Sequence, residues 1–146
     1  MKIVNRYAYR DYEILEELVA GVVLTGAEAK SIRKGRAIMR GSFVKIREGQ
    51  MWLFNMNIPN FQANQPENLE VTRTRALLVQ KKQIAEWEKL ATGKGMAIIP
   101  LALFTKNNLV KVKLGLGKGR RQYEKRDVIK KRQFDREVGR VMRGKR

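Results

Sequence analysis

The sequence predicts a mostly β domain: a small barrel of about six short strands with two to three α-helices, ahead of a basic C-terminal tail. Three observations lead to that class. Two stretches, 42–58 and 96–116, read as antiparallel hairpins, each a pair of strand-like runs about a short turn, with apolar and charged or aromatic side chains alternating in 43–47 and 110–114. Segments with helical character fall between the strand pairs, giving the order strand, helix, two strands, helix, two strands. Charge then separates a body from a tail: residues 1–116 hold 19 basic and 10 acidic side chains, and residues 117–146 hold 13 and 4. The expected division is therefore a barrel over 1–116 and a tail over 117–146.

Along the chain, Asp11–Leu24 (DYEILEELVAGVVL) opens with near-alternation and ends in a β-branched run. It predicts one bent strand, or two, with Gly21 at a bulge or barrel bend. In the following TGAEAKSIRKG, Thr25 and Glu28 have the spacing of a capping box, and Gly35 supplies the stop of a short helix. Lys30, Arg33 and Lys34 give that helix a strongly positive face. Phe43, Lys45 and Arg47 alternate with Val44 and Ile46 up to a turn at Glu48-Gly49, and the return strand is expected over Trp52–Ile58. Residues 59–72, with Pro59, Pro66 and three Asn, predict a loop. Leu77, Ile84, Trp87 and Leu90 follow helical intervals within 75–90, although 76–79 (ALLV) also suits a strand. The second hairpin runs MAIIPLALF, a turn at Lys106-Asn107-Asn108, then Val110, Val112 and Leu114 against Lys111 and Lys113. Five or six short strands with interposed helices match an OB-like barrel, whose face often binds oligonucleotides.

Gly115, Gly117 and Gly119 are expected to loosen the chain before the tail. In the tail itself, Tyr123, Phe134, Val138 and Val141 form one narrow helical stripe among charges. So little apolar area does not offset the entropy of ordering, which predicts a segment that becomes helical only against phosphate; a docked helix is the other reading.

The formal net charge of +18, spread along the whole 146-residue chain, is the electrostatic footprint of a nucleic-acid binder. A generally solvated surface or an anionic-lipid patch are the alternatives. With no Cys and no His, disulfides, Cys/His zinc sites, Ser-His-Asp and Cys-His catalysis and imidazole bases are excluded. GLGKGRR lacks the GK[ST] of a Walker loop. The acid pairs Glu16/Glu17, Glu86/Glu88 and Glu124/Asp127 do not converge on a metal, so neither metal nor cofactor is expected. No apolar run approaches the roughly 20 residues of a membrane span, and the N-terminus lacks a signal-peptide layout, so a soluble cytoplasmic protein is expected. Trp52 and Trp87 are expected in the core, while Tyr7, Tyr9 and Tyr123, set among basic residues, are candidates for stacking on unpaired bases.

The strings NRYAYRDYEILEELVAGVVLTGAEAKSIRKGRA, SFVKI, TRTRALLVQKKQI and KVKLGLGKGRRQYEKRDVIKKRQFDRE, in this order and spacing, closely resemble the small protein B family, the SsrA-binding (tmRNA-binding) proteins of bacterial trans-translation. The resemblance spans about Asn5 to Glu137 and implies an OB-like barrel that holds the elbow of the tRNA-like part of tmRNA. It implies a non-enzymatic adaptor that brings tmRNA to stalled ribosomes, with elongation factor Tu engaged indirectly through tmRNA and neither DNA nor a membrane as partner. The tail would reach the decoding centre and lie in the vacated messenger channel as a helix. RNA contacts implied by position are Asn5, Arg6, Lys30, Ser31, Arg33, Leu78 and Gln80; charge adds Lys34, Arg36, Lys111, Lys113 and Lys118. Ribosome contacts fall on Gly119, Tyr123, Lys125, Arg126, Ile129, Lys130, Val141 and Met142, with Arg132 added on charge. The chain departs from the family at Val19, where Glu is common, at Ile38 and Gly41, where polar or acidic residues are usual, and in its short stretch ahead of Asn5. A structural ribosomal or ribosome-assembly protein is the rival reading, and an RNA-acting enzyme a more distant one.

Overall fold

The structure is a computed structural model that describes residues 2–59 and 71–120. Among them are seven strands and three helices: β1 (Lys2–Val4), α1 (Arg6–Asp11), β2 (Tyr12–Val22), α2 (Gly26–Arg33), β3 (Phe43–Arg47), β4 (Gln50–Phe54), β5 (Arg75–Leu78), α3 (Lys81–Leu90), β6 (Met96–Lys106) and β7 (Leu109–Gly119). Every strand pairing is antiparallel, in the order β1-β6-β3-β4-β5-β2-β7, and β7 pairs back onto β6. Six strands thus close a ring, and β1 extends the edge of β6 beyond β3. Closure removes the exposed edges that an open sheet of this size would present.

Both hairpins turn where the sequence places them. Glu48 (φ 53°) and Gly49 (φ 71°) link β3 to β4, and Asn107 (φ 52°) and Asn108 (φ 64°) link β6 to β7. Two central residues with positive φ match the right-handed twist of the flanking strands, and Asn and Gly tolerate that geometry best. The return strand β4 ends at Phe54 and not near Ile58, because Asn55 (φ 62°) turns the backbone out of the ladder. Asn57 then makes an isolated bridge to Ile38.

Inside the ring, Leu18 and Ala20 of β2, Met51 and Leu53 of β4, Leu77 of β5 and Val112, Leu114 and Leu116 of β7 meet Ile32 of α2 and Ile84 and Trp87 of α3. Burying a large aliphatic or aromatic side chain is worth about 1.5–3 kcal/mol each, so this cluster dominates the stability. A second, smaller cluster of Ala8, Ile99 and Leu101 lies beneath α1.

Three further expectations need correction, and one left open is decided. The glycines of β7 do not loosen the chain: Gly115 and Gly117 are buried strand residues paired with both β2 and β6, and the strand continues through Gly119. A Cβ on Gly115 would lie 2.8 Å from Leu101 Cδ1, and one on Gly117 2.9 Å from Tyr12 Cβ. Here absent side chains admit the layer under α1. The bulge of β2 falls between Ile14 and Glu16 and not at Gly21, which pairs in register with both Leu78 and Lys111. Residues 75–78 are strand, since Arg75 and Leu77 are buried while Ala76 and Leu78 are not, and the helix begins at Lys81. Trp87 is in the core, but Trp52 is half-buried on the outer face.

Candidate nucleic-acid interface

Helix α2 carries the densest described positive charge, and its local sequence fixes its start. Glu28 N donates to Thr25 Oγ1 (3.2 Å) and Thr25 N donates to Glu28 Oε1 (2.9 Å), which completes the capping box. Gly35, at φ 75°, takes the left-handed conformation beyond the helix end. Lys30, Arg33, Lys34 and Arg36 are all exposed.

Below this surface the same Glu28, only 3% exposed, anchors a buried ionic cluster. Its carboxylate accepts from Arg73 Nε (3.1 Å) and Arg75 Nε (2.7 Å), with Arg75 Nη2 2.6 Å away. Arg75 is fully buried, and it also donates to the carbonyls of Met56 (2.8 Å), Val71 (2.9 Å) and Arg73 (3.1 Å). Burial pushes the Glu28 pKa up, but hydrogen bonds from Arg73, Thr25 and Arg75 and the Arg75 charge outweigh it, leaving the group below its ordinary value. Burial pulls the Arg75 guanidinium below its ordinary value and Glu28 offsets part of that; the group stays charged. The cluster ties α2 to β5 and to the segment entering it. Sequence reasoning found Glu28 as a cap and missed its pairing with Arg73 and with Arg75, whose full burial has no local signal.

Arg33 Nη2 donates to Asn108 O (2.8 Å), which joins the end of α2 to the β6–β7 turn. The positive surface therefore continues onto β7. There Gly21 is flanked by Leu78 on one side and Lys111 on the other, so Leu78, Gly21 and Lys111 form one row across three strands. Leu78 is 62% exposed. A Cβ on Gly21 would stand 3.2 Å from that of Leu78, so the glycine leaves the row low. In the adjoining row, exposed Val19 faces Lys113, whose Nζ lies 2.9 Å from Glu17 Oε2. The hydrogen bond to Glu17 leads the causes that raise the Lys113 pKa. A recess of about 420 Å³ opens beside these rows, lined by Val19, Phe104, Lys106, Asn107, Leu109 and Lys111. Gln80 is exposed at the N-cap of α3, two residues past Leu78.

The structure thus places Lys30, Arg33, Lys34 and Arg36 on α2 and just beyond it, linked through Arg33 to the β6–β7 turn, Leu78, Lys111 and Lys113 on the β5–β2–β7 wall, and Gln80 at the start of α3. It does not bring the other RNA-contact candidates there as surface groups. Ser31 is fully buried and its hydroxyl donates to the Pro59 carbonyl. Asn5 is buried at the start of α1, where Nδ2 donates to Pro100 O (2.9 Å) and the backbone N to Leu101 O (2.8 Å). Arg6 follows on α1, and Lys118 lies at the far end of β7 opposite Glu13 and Met96. Gly119 belongs to β7, its N donating to Gly95 O (2.9 Å). Tyr123, Lys125, Arg126, Ile129, Lys130, Arg132, Val141 and Met142 lie outside the described residues, as does most of the 59–72 segment. Among the described residues no three acidic side chains converge as a metal site, and no helix is long and apolar enough to cross a membrane.

A closed OB-like barrel with exposed cations on α2 and beside it has the architecture and charge of a nucleic-acid-binding protein of the OB class. Comparison with known proteins narrows this class to one family. The family model for SmpB protein matches residues 2–144, and the chain belongs to that family. It is 42% identical over 139 residues to the SsrA-binding protein of Streptococcus suis, covering 95% of this chain and 90% of that protein. It is also 42% identical over 141 residues to the SsrA-binding protein of Carboxydothermus hydrogenoformans, covering 97% and 95%. A solved structure described as "tmRNA-SmpB: a journey to the center of the bacterial ribosome" contains a chain that superposes with a TM-score of 0.71 at 33% identity, over 88% of this chain and 94% of that one.

Proposed function

We infer that this chain is an RNA-binding adaptor that binds tmRNA (SsrA) and delivers it to stalled ribosomes for trans-translation, where the unfinished peptide is tagged and the ribosome released. Membership of the SmpB family carries this reading, and the cationic side of the barrel supplies its physical basis. Lys30, Arg33, Lys34, Arg36 and Lys111 neutralise phosphates there and release counterions, while exposed Leu78 and Gln80 offer an apolar and an amide contact to the RNA surface. Since backbone and shape contacts dominate recognition of folded RNA, a rigid α2 matters more than any one base contact. The Glu28–Arg75 cluster provides that rigidity from below. Asn5 and Ser31 serve the same end, holding α1 and α2 by buried hydrogen bonds to the main chain.

Residues 121–146 hold 11 basic and 4 acidic side chains, a composition suited to ribosomal RNA in the decoding centre and messenger channel. Elongation factor Tu is engaged only through tmRNA. The protein works without a cofactor, performs no catalysis of its own and acts in the cytoplasm. The rival reading of a permanent ribosomal component is not favoured, since the relatives are SsrA-binding proteins.

Truncation after Arg120 separates the two activities. Gel-shift affinity for tmRNA should stay within about threefold of the full chain, while peptide tagging in a reconstituted stalled-ribosome assay should fall to background. Equal loss of both would refute the division of labour.

A further inference from the structure

Residues 2–11 form a strap of β1, Asn5 and α1 laid along β6. Strand β1 pairs with β6 alone, Lys2 with Phe104, Ile3 with Leu103 and Val4 with Ala102. On the same edge of β6, β3 closes the ring at one register position, Val44 with Ile98. Between these two strands the edge is taken by Asn5, which donates through Nδ2 to Pro100 O and through its backbone N to Leu101 O. Of residues 2–11 only Asn5 and Ala8 are buried. Ala8 packs with Ile99 and Leu101 in the small cluster, apart from the main core, which the strap meets through half-buried Ile3. Two features weaken its hold. Asn5 Oδ1 is buried and accepts no hydrogen bond among the described residues, which offsets part of what Nδ2 contributes. Asn5 also gives α1 no side-chain cap. Arg10 is engaged within the strap, 3.0 Å from Asp11 and 4.9 Å from the centre of the Tyr7 ring, while Arg40 of the body stands 4.3 Å from the same ring centre.

We propose that the strap is a latch that opens as a unit while the ring stays folded, with Asn5 as its catch, and that opening bares the length of β6 that ring closure leaves without a strand. Local stability follows buried apolar contact, in which the two regions differ. Detaching the strap uncovers Ile3, Ala8, Ile99 and Leu101, whereas opening the ring uncovers the whole main cluster. Hydration shifts the balance the same way, because Asn5 Oδ1 gains water only when the strap lifts. Closed, the strap covers an edge that would otherwise pair with any extended chain. Open, it turns the Pro100 and Leu101 carbonyls to solvent. Tyr7, Ala8 and Asp11 also wall a recess of about 560 Å³ that runs on to Val44 and Ile46 of β3, so the same motion widens it.

Native-state hydrogen exchange of the full-length chain in low urea tests this, and it needs no RNA, so it stands apart from the tmRNA reading. The amides of β1 and Asn5 should exchange about tenfold faster, or more, than those of β4 and β7. Their rates should barely change with urea, because a local opening exposes little surface, while the β4 and β7 rates climb with it. Asn5→Ala should speed the β1 amides about fivefold or more, as expected for one lost hydrogen bond, and leave β4 and β7 within about twofold. Ile84→Val, which removes one methylene from the main core, should do the reverse: β4 and β7 exchange about threefold faster or more, and β1 is unchanged. A single rate and urea dependence for β1, β4 and β7 would overturn the proposal. So would β1 amides indifferent to Asn5→Ala, or Ile84→Val speeding all three strands alike.

Discussion

Two opposite walls of one six-stranded ring expose different chemistry, and the difference follows from what each has behind it. The side formed by β2, β5 and β7 faces outward with Leu78, a glycine and lysines, and borrows its charge from α2, which a buried carboxylate and two arginines hold in place. The β3–β4 wall carries its aromatics and cations on its own strands. The first has its charge fixed by a helix; the second is a strip of ring faces and charges borne by the strands alone.

Removing the support under α2 is the most forceful way to break this contrast. Arg75→Ala leaves the Glu28 carboxylate buried without one of its two arginine partners, which should cost about 3–5 kcal/mol. Urea denaturation would read this as a large drop in midpoint, and loss of under about 1 kcal/mol would show the cluster to be incidental. A smaller effect is expected where the strands are crowded. Gly117→Ala places a Cβ against Tyr12, and overpacking of this kind costs about 1–3 kcal/mol. By contrast, Gly49→Asn at the open hairpin turn, where nothing lies within 4 Å of a new Cβ and Asn tolerates positive φ, should cost much less.

Acid sharpens the comparison further. The folded-state pKa of Glu28 lies below its ordinary value near 4.5, so its stabilising contribution is present above that pH and is lost as pH falls through the lowered folded value. Thermal midpoints should therefore fall more steeply below about pH 4.5 in the native chain than in a Glu28→Gln variant, and parallel curves would contradict the assignment. The Lys113–Glu17 pair is surface-exposed, and Glu17→Gln should shift stability by about 1 kcal/mol or less.

The elements that sequence pattern makes plain are those whose cause is local. The Thr25–Glu28 box, the Gly35 stop and the two hairpin turns depend on residues within a few positions of one another, and all appear in the structure. Legibility fails where the cause is distant. β1 and α1, three and six residues long, exist because β6 and Leu101 receive them. The alternate glycines of β7 look like a hinge until Leu101 and Tyr12 are seen against them. Arg75 looks like one more surface cation, because nothing near it in sequence announces Glu28, 47 residues earlier. Trp52 could have been placed: with a two-residue turn at Glu48-Gly49, it falls opposite Lys45, on the outward face. For the candidate site, charge marked α2 correctly as the positive helix, while the burial of Ser31 and Asn5 came only with the packing.

The central claim is that the α2 side of the barrel, and not total positive charge, holds tmRNA. Its most direct test is the salt dependence of binding to the tRNA-like domain of tmRNA for two variants, Lys30→Gln/Arg33→Gln/Lys34→Gln and Lys45→Gln/Arg47→Gln. The first should lower affinity steeply and reduce the log–log salt slope by about 2–3, roughly one per lost phosphate contact, while the second should leave both near the native values. Similar losses in both variants, scaled only to the charge removed, would contradict the account.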